Sequence, residues 1–209
     1  MAPSLPLASS LYSRVAQLVE QVTVNHRVTG SSPVAGASTT TLIALLRAIN
    51  VGGTGKLPMA DLRALCEKAG FTNVRTYIAS GNVVLDSKRS PAAAKTTLET
   101  ALAKRLGKPC QVLIRSAHEL AAAIAANPFP DAEPNRLLIL FLDVPPPAGA
   151  LDKVKIPGRE KLKVVGRELF IHFPEGQGQS KLRIPLLDVG TGRNLNTVRA
   201  LLVMARDSA

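Results

Sequence analysis

The chain has no tryptophan, aromatic residues make up only 3% of its 209 residues, and cysteine occurs just twice. So few rings argue against a surface that binds single-stranded nucleic acid by stacking bases. Cys66 and Cys110 have no C-x-x-C spacing and no nearby histidine pair. This argues against a disulfide framework and against a metal site, and both thiols are expected to be reduced and buried on core-facing segments. No apolar stretch escapes interruption by Arg, Asn or Pro for long enough to cross a bilayer, so no membrane association is expected. With no secretory leader recognised either, the expected location is cytoplasmic. Acidic residues are also scarce: 15 Asp and Glu stand against 26 Lys and Arg, a formal net charge of +11 that should attract anions. The excess is uneven, with seven bases and one acid in residues 88–115 but one base and four acids in 116–149.

The first residues do not read as part of a domain. Residues 15–37, VAQLVEQVTVNHRVTGSSPVAGA, open with a short helical stripe of Val15, Leu18, Val19 and Val22, after which the period dissolves. Back-translated, Val15 to Gln21 resembles the D-arm of a bacterial transfer-RNA gene and Val28 to Pro33 the T-arm. Thr23-Val24-Asn25 allows an asparagine anticodon between them. Residues 1–38 are therefore expected to be a spurious or disordered extension, with a targeting peptide or a plain amphipathic arm as the alternatives.

The remaining chain is long enough for one compact domain or two small intimate ones. TLIALLRAIN from Thr41 reads as a strand apolar on both faces. A helix is expected after Pro58, with Leu62, Leu65, Cys66 and Ala69 on one stripe and Gly70 as its stop. NVRTYIASGNVVLDS reads as two strands joined at Ser80-Gly81-Asn82. Ser90-Pro91 opens an alanine-rich helix closed by Gly107, and PCQVLIRS is a further strand. Strand, helix, strand, strand, helix, strand is the ferredoxin-like plan, α+β in class. The second half is less regular: a helix from Ala117, the strand NRLLILFLD, a proline-rich connector, a hairpin turning at Gly166-Arg167 and a terminal helix in NLNTVRALLVMA. The expected organisation is a first ferredoxin-like half over 39–115 and an irregular second half over 116–209.

Motifs for chemistry are incomplete. NVGGTGK resembles a phosphate loop, but a Walker A motif needs glycine at Asn50 and Ser or Thr at Leu57, and Pro58 breaks G-x-G-x-x-G. No cofactor signature is present. TGRNLNTV offers Thr191, Asn194 and Asn196 as helix-start residues, with Arg193 beside free backbone N–H groups, which suits either an anion site or plain capping. Ser180 and Lys181 could act as a nucleophile pair if Lys181 were desolvated, or Ser180 could be a helix cap.

TLIALLRAINVGG, LPMADLRALCEKAGFTNVRTYIASGNVVLDS, SKL and TGRNLNTV together resemble the family called domain of unknown function 1697, from about Thr41 to the C-terminus. The resemblance implies two interlocked ferredoxin-like halves and no particular activity. Positions matching its pattern are Arg47, Asn50, Gly52, Gly53, Ser80, Gly81, Asn82, Ser180, Lys181, Leu182, Thr191, Arg193, Asn194 and Thr197. Ala48 departs from it, standing where a glycine is usual. These positions combine cations with neutral donors and contain no carboxylate, which suits a phosphate or carboxylate ligand and leaves no evident general base. The expected function is binding of an anionic ligand, a phosphorylated metabolite or a nucleic-acid backbone. The alternatives are an enzyme of small-molecule or phosphoryl chemistry using Lys181 or Ser180, and a protein interaction module. Arg47, Asn50, Ser80, Asn82, Lys181 and Arg193 are expected to line one concave site.

Overall fold

The computed structural model describes residues 38–50 and 57–207; the extension expected over 1–38 and the glycines of the first loop, Gly52 and Gly53, lie outside the described residues, apart from Ser38. Strand β1 (Thr40–Leu46) is apolar from Leu42 onward, where both its faces are covered. Leu42, Ala44 and Leu46 join one core cluster, and Ile43 and Leu45 join another. The strand stops short of the expected Asn50 because Ala48 and Asn50 take positive φ, 51° and 58°, which a strand cannot accommodate.

Helix α1 (Met59–Lys68) follows Pro58 and buries Leu62 and Cys66. Strands β2 (Thr72–Tyr77) and β3 (Asn82–Ser87) form the expected hairpin. Helix α2 (Pro91–Leu106) starts where the Ser90 hydroxyl accepts the Ala93 N–H, and it ends at Gly107 in the left-handed conformation. Strand β4 (Val112–Ser116) completes an antiparallel sheet of order β2-β3-β1-β4, with α1 and α2 contributing Leu62, Cys66, Ala94, Leu98 and Leu102 to the core on its outer face. Helix α3 (Ala117–Ala125) opens on a capping box between Ser116 and Glu119.

The second sheet repeats the order as β6-β7-β5-β8, from β5 (Leu137–Phe141), β6 (Lys161–Val165), β7 (Glu168–His172) and β8 (Thr191–Asn194). Its irregularity has a simple form. Where the first half has α1 and α2, the second has the proline-rich connector and two short 3-10 turns, Gln177–Gln179 and Pro185–Asp188. Leu151, Val154, Ile184 and Leu186 from these segments cover the outer face that helices would otherwise cover. The terminal helix α4 (Leu195–Arg206) packs with α3 and the inner faces of both sheets around Ile43, Leu113, Ile139, Phe141 and Phe170. The protein is thus α+β, built from two ferredoxin-like halves that share one central core.

The TGRN segment differs from its expectation. Thr191 and Arg193 lie in β8 rather than at an exposed helix start, and the strand alternation turns both inward. Asn194 alone is the cap, accepting the Thr197 N–H at 2.9 Å.

Both cysteines are free and buried. Desolvation, with Glu67 adding to it, pushes the Cys66 thiol up to about 12. Burial also raises Cys110, aided by Glu99 and opposed by the Arg47 backbone contact. At pH 8 a thiol reagent is therefore expected to leave both unmodified in the native protein and to label both in denaturant. Rapid native labelling of either would show that the packing around it opens.

Candidate functional site

The end of β1 and the β2–β3 turn meet at one corner of the first sheet. Asn50 closes the chain on itself there: its side-chain oxygen accepts the Leu57 N–H at 2.7 Å, and its amide donates to Leu57 O at 3.0 Å and to Ala79 O at 2.8 Å. The positive φ at Asn50 is what aims this amide across the turn, and asparagine tolerates that conformation better than most residues. Gly81 fits where no other residue would, with φ +77° and an imagined Cβ only 2.9 Å from Leu46 Cβ. The Leu46 N–H donates to its carbonyl at 2.8 Å. Asn82 is fully buried and donates to Tyr77 O and Ser80 Oγ, both at 3.0 Å.

Arg193 enters this corner from the other half. Its Nε donates to Asn82 Oδ1, Nη1 to Thr191 Oγ1 and Gly192 O, and Nη2 to Leu46 O and Ser80 O, the last four at 2.8 Å, with Gly81 O further off at 3.3 Å. Every N–H of the guanidinium is thus taken. All the acceptors are neutral oxygens, and burial lowers the guanidinium to about 10 with no acid acting to raise it. A cation nine-tenths withdrawn from water sits here on dipoles alone. Arg47, the residue after Leu46, is half-buried; its backbone meets Gln111 and Cys110 of the segment leading into β4, and its guanidinium forms no hydrogen bond or ion pair with the described residues.

Hydrogen bonds therefore link Asn50, Ser80, Gly81, Asn82, Thr191 and Arg193 around the β2–β3 turn, with Asn194 next along β8 and Arg47 next along the chain from Leu46. Ser180 and Lys181 lie elsewhere, along a cavity of about 290 Å³ that also takes in Arg159, Glu160, Phe173 and Gln179. There Ser180 donates its hydroxyl hydrogen to Glu160 and accepts the Leu182 N–H at 3.1 Å. It closes a 3-10 turn and does not cap a helix. The Ser180 hydroxyl, with backbone N–H groups, holds the Glu160 carboxyl below its usual range.

Sequence reasoning missed a second buried cation. Arg115 is 1% exposed and bonds Ile114 O at 3.0 Å, Leu142 O at 2.6 Å and Glu168 Oε1 at 3.3 and 3.2 Å. Arg167 beside it pairs with Glu119. Burial and the like charge of Arg167 lower Arg115, while Glu168 and Glu119 oppose them. Four of the seven bases in residues 88–115 have partners within the fold. Arg89 lies over the Phe71 ring, Lys95 pairs with Asp143 at 2.5 Å, Arg105 pairs with Asp61 at 3.0 Å, and Arg115 is buried. Among the described residues no group of three or more His, Cys, Asp or Glu could hold a metal, and no helix is long and apolar enough to cross a membrane.

A family model described as a protein of unknown function, DUF1697, matches residues 39–170. Among solved structures, the conserved bacterial protein SP0830 from Streptococcus pneumoniae is similar in fold, with a TM-score of 0.68 and 24% identity over 80% of this chain and 99% of that one. No curated protein matches the chain significantly.

Removing Arg193 would strand buried oxygens of both halves. Arg193→Met is expected to destabilise the protein by about 3 kcal/mol or more in urea unfolding, whereas Lys181→Ala on the exposed rim of the other cavity should change it by less than about 0.5 kcal/mol. A small effect of Arg193→Met would show that the halves do not depend on this knot.

Proposed function

We propose that this chain, which belongs to the DUF1697 family, binds a small phosphorylated or otherwise anionic ligand at the Arg47–Asn50–Ser80 corner. The observation that carries the reading is the Arg193 charge, buried beneath the corner and touched by no carboxylate. Fields from a cation inside a low-dielectric body are screened far less than those of a surface lysine. Arg193 has no donor left to offer, so direct contacts fall to Arg47 and to the Ser80 hydroxyl. The choice between a small ligand and a nucleic-acid backbone leans to the former. A backbone footprint needs a row of free cations, and much of the basic run at 88–115 is engaged internally.

Chemistry at Ser180 or Lys181 is the second reading, and the Ser180–Glu160 hydrogen bond is the observation in its favour. That same bond keeps Glu160 an anion of low basicity, so it would be a weak acceptor for the serine proton.

Calorimetry with inorganic pyrophosphate at low salt tests the first reading. Wild type should bind, Arg47→Ala should bind about tenfold more weakly, equivalent to about 1.4 kcal/mol, and the difference should shrink at high salt. Absence of binding by wild type, or an unchanged affinity in Arg47→Ala, would sink the proposal. Loss of binding in Lys181→Ala instead would move the site to the second cavity.

A further inference from the structure

The two buried arginines occupy the same position in the two halves. Arg115 pairs across β4 with Ile43 of the central strand β1, and Arg193 pairs across β8 with Ile139 of the central strand β5. The next residue caps a helix in each case, Ser116 for α3 and Asn194 for α4, each accepting the N–H three residues on. Each guanidinium gives Nη1 to the carbonyl of the residue before it, Ile114 or Gly192. Each gives Nη2 to a leucine carbonyl of the opposite half, Leu142 or Leu46, and each leucine stands three residues beyond the respective isoleucine. Each gives Nε to the first residue of the opposite half's third strand, Glu168 of β7 or Asn82 of β3. Those two residues are themselves in matching register, opposite Phe141 and Leu45, each two residues beyond the isoleucine.

The sockets therefore share the preceding carbonyl, the leucine carbonyl of the opposite half and the position that meets Nε; Arg193 alone also bonds Ser80 O, Gly81 O and Thr191 Oγ1, and the residue at Nε differs in charge. Glu168 is a carboxylate, and with Arg167 and Glu119 nearby the Arg115 socket contains two cations and two anions. Asn82 offers the same acceptor geometry without the charge.

We propose that Asn82 sets the ligand charge at the Arg193 corner: by presenting a neutral oxygen where the equivalent socket has Glu168, it leaves the Arg193 charge free to act on a bound anion. This rests on the anion-binding reading above and deepens it. A guanidinium whose donors are all spent attracts by charge and gives no directional bond. The ligand class that gains most is therefore a multiply charged oxyanion, such as a phosphate ester or pyrophosphate, over a monocarboxylate such as acetate. The equivalent Arg115 socket, neutralised by Glu168, should be indifferent to either.

The test places a carboxylate in the Arg193 socket by two routes, Asn82→Asp at the Nε contact and Thr191→Asp at the Nη1 contact, with folding followed by the thermal midpoint. Pyrophosphate and acetate are titrated into each protein at low salt. Wild type should prefer pyrophosphate, and a folded variant should bind pyrophosphate at least about tenfold more weakly, with acetate little changed. A folded variant that binds pyrophosphate as tightly as wild type overturns the role of Asn82 and leaves anion binding standing. Wild type that binds no anion overturns the underlying reading instead. If neither aspartate variant folds, Glu168→Gln decides: it keeps an acceptor for Arg115 while removing the charge, and should give the protein additional pyrophosphate uptake. Unchanged stoichiometry and affinity in that variant would count against the proposal.

Discussion

A guanidinium taken out of water must find an oxygen for each of its N–H groups, because an unmet buried donor costs as much as the bonds around it give back. In this protein the need is met across the boundary between the halves. The carbonyls at Leu46 and Leu142 end the central strands just where the sheets run out of antiparallel partners, and arginines from the opposite halves fill them. Neither half can satisfy its own strand ends, and neither arginine can be satisfied by its own half. The shared apolar core around Ile43, Ile139 and Phe170 supplies the area, while the arginines fix how the two sheets register on one another. Apolar packing has no strong directional preference of its own, so crossed polar contacts are what single out one arrangement.

That constraint explains which parts of the structure were legible in the sequence. Elements marked by local chemistry were readable: Ser90 before Pro91, Gly107 after Leu106, the Gly166 turn, and the doubly apolar β1. Each depends on capping, glycine's freedom or hydrophobic period, which act over a few residues. The repeat is not readable residue by residue, because the second half replaces two helices with loops, and the equivalent side chains share little identity beyond arginine, isoleucine and leucine. Arg193 stands out in the sequence, but Thr, Arg and Asn in a row read as capping and point to an exposed helix start. Only pairing with β5 turns Arg193 inward. Arg115 carries no comparable mark in the sequence. The available signal is an arginine one residue before a helix-capping Ser or Asn, shared by Arg115-Ser116 and Arg193-Asn194, and it becomes informative only once both strands are known to flank a central strand.

The candidate site was half legible for a related reason. Motif residues near the ends of β1, β2 and β8 do converge, since a ferredoxin-like sheet gathers those ends at one corner. Ser180 and Lys181 do not join them. The β5–β7 register puts His172 beside Leu137, so the chain following β7 leaves the second sheet at the Leu137 end, while Thr191 pairs with Phe141 at the other. A cluster of like chemistry in a sequence is a list of candidates, and sheet register decides which members can meet.

The asymmetry between the sockets is an argument about what stability alone would select. A carboxylate beside a buried guanidinium recovers Coulomb energy, although the desolvation of a second charge offsets much of it. Glu168 retains 14% exposure, which limits that offset. Asn82 is fully buried, where a carboxylate would bear the whole desolvation cost, and its amide also satisfies Tyr77 O and Ser80 Oγ, which a carboxylate could not. Local hydrogen bonding thus accounts for an amide at this position without any ligand. It does not remove the consequence, which is a cation held under the β2–β3 turn with neutral partners only. The field at that corner follows from the packing, and an anion of matching charge is the one species that could relieve it without disturbing a single bond of the knot.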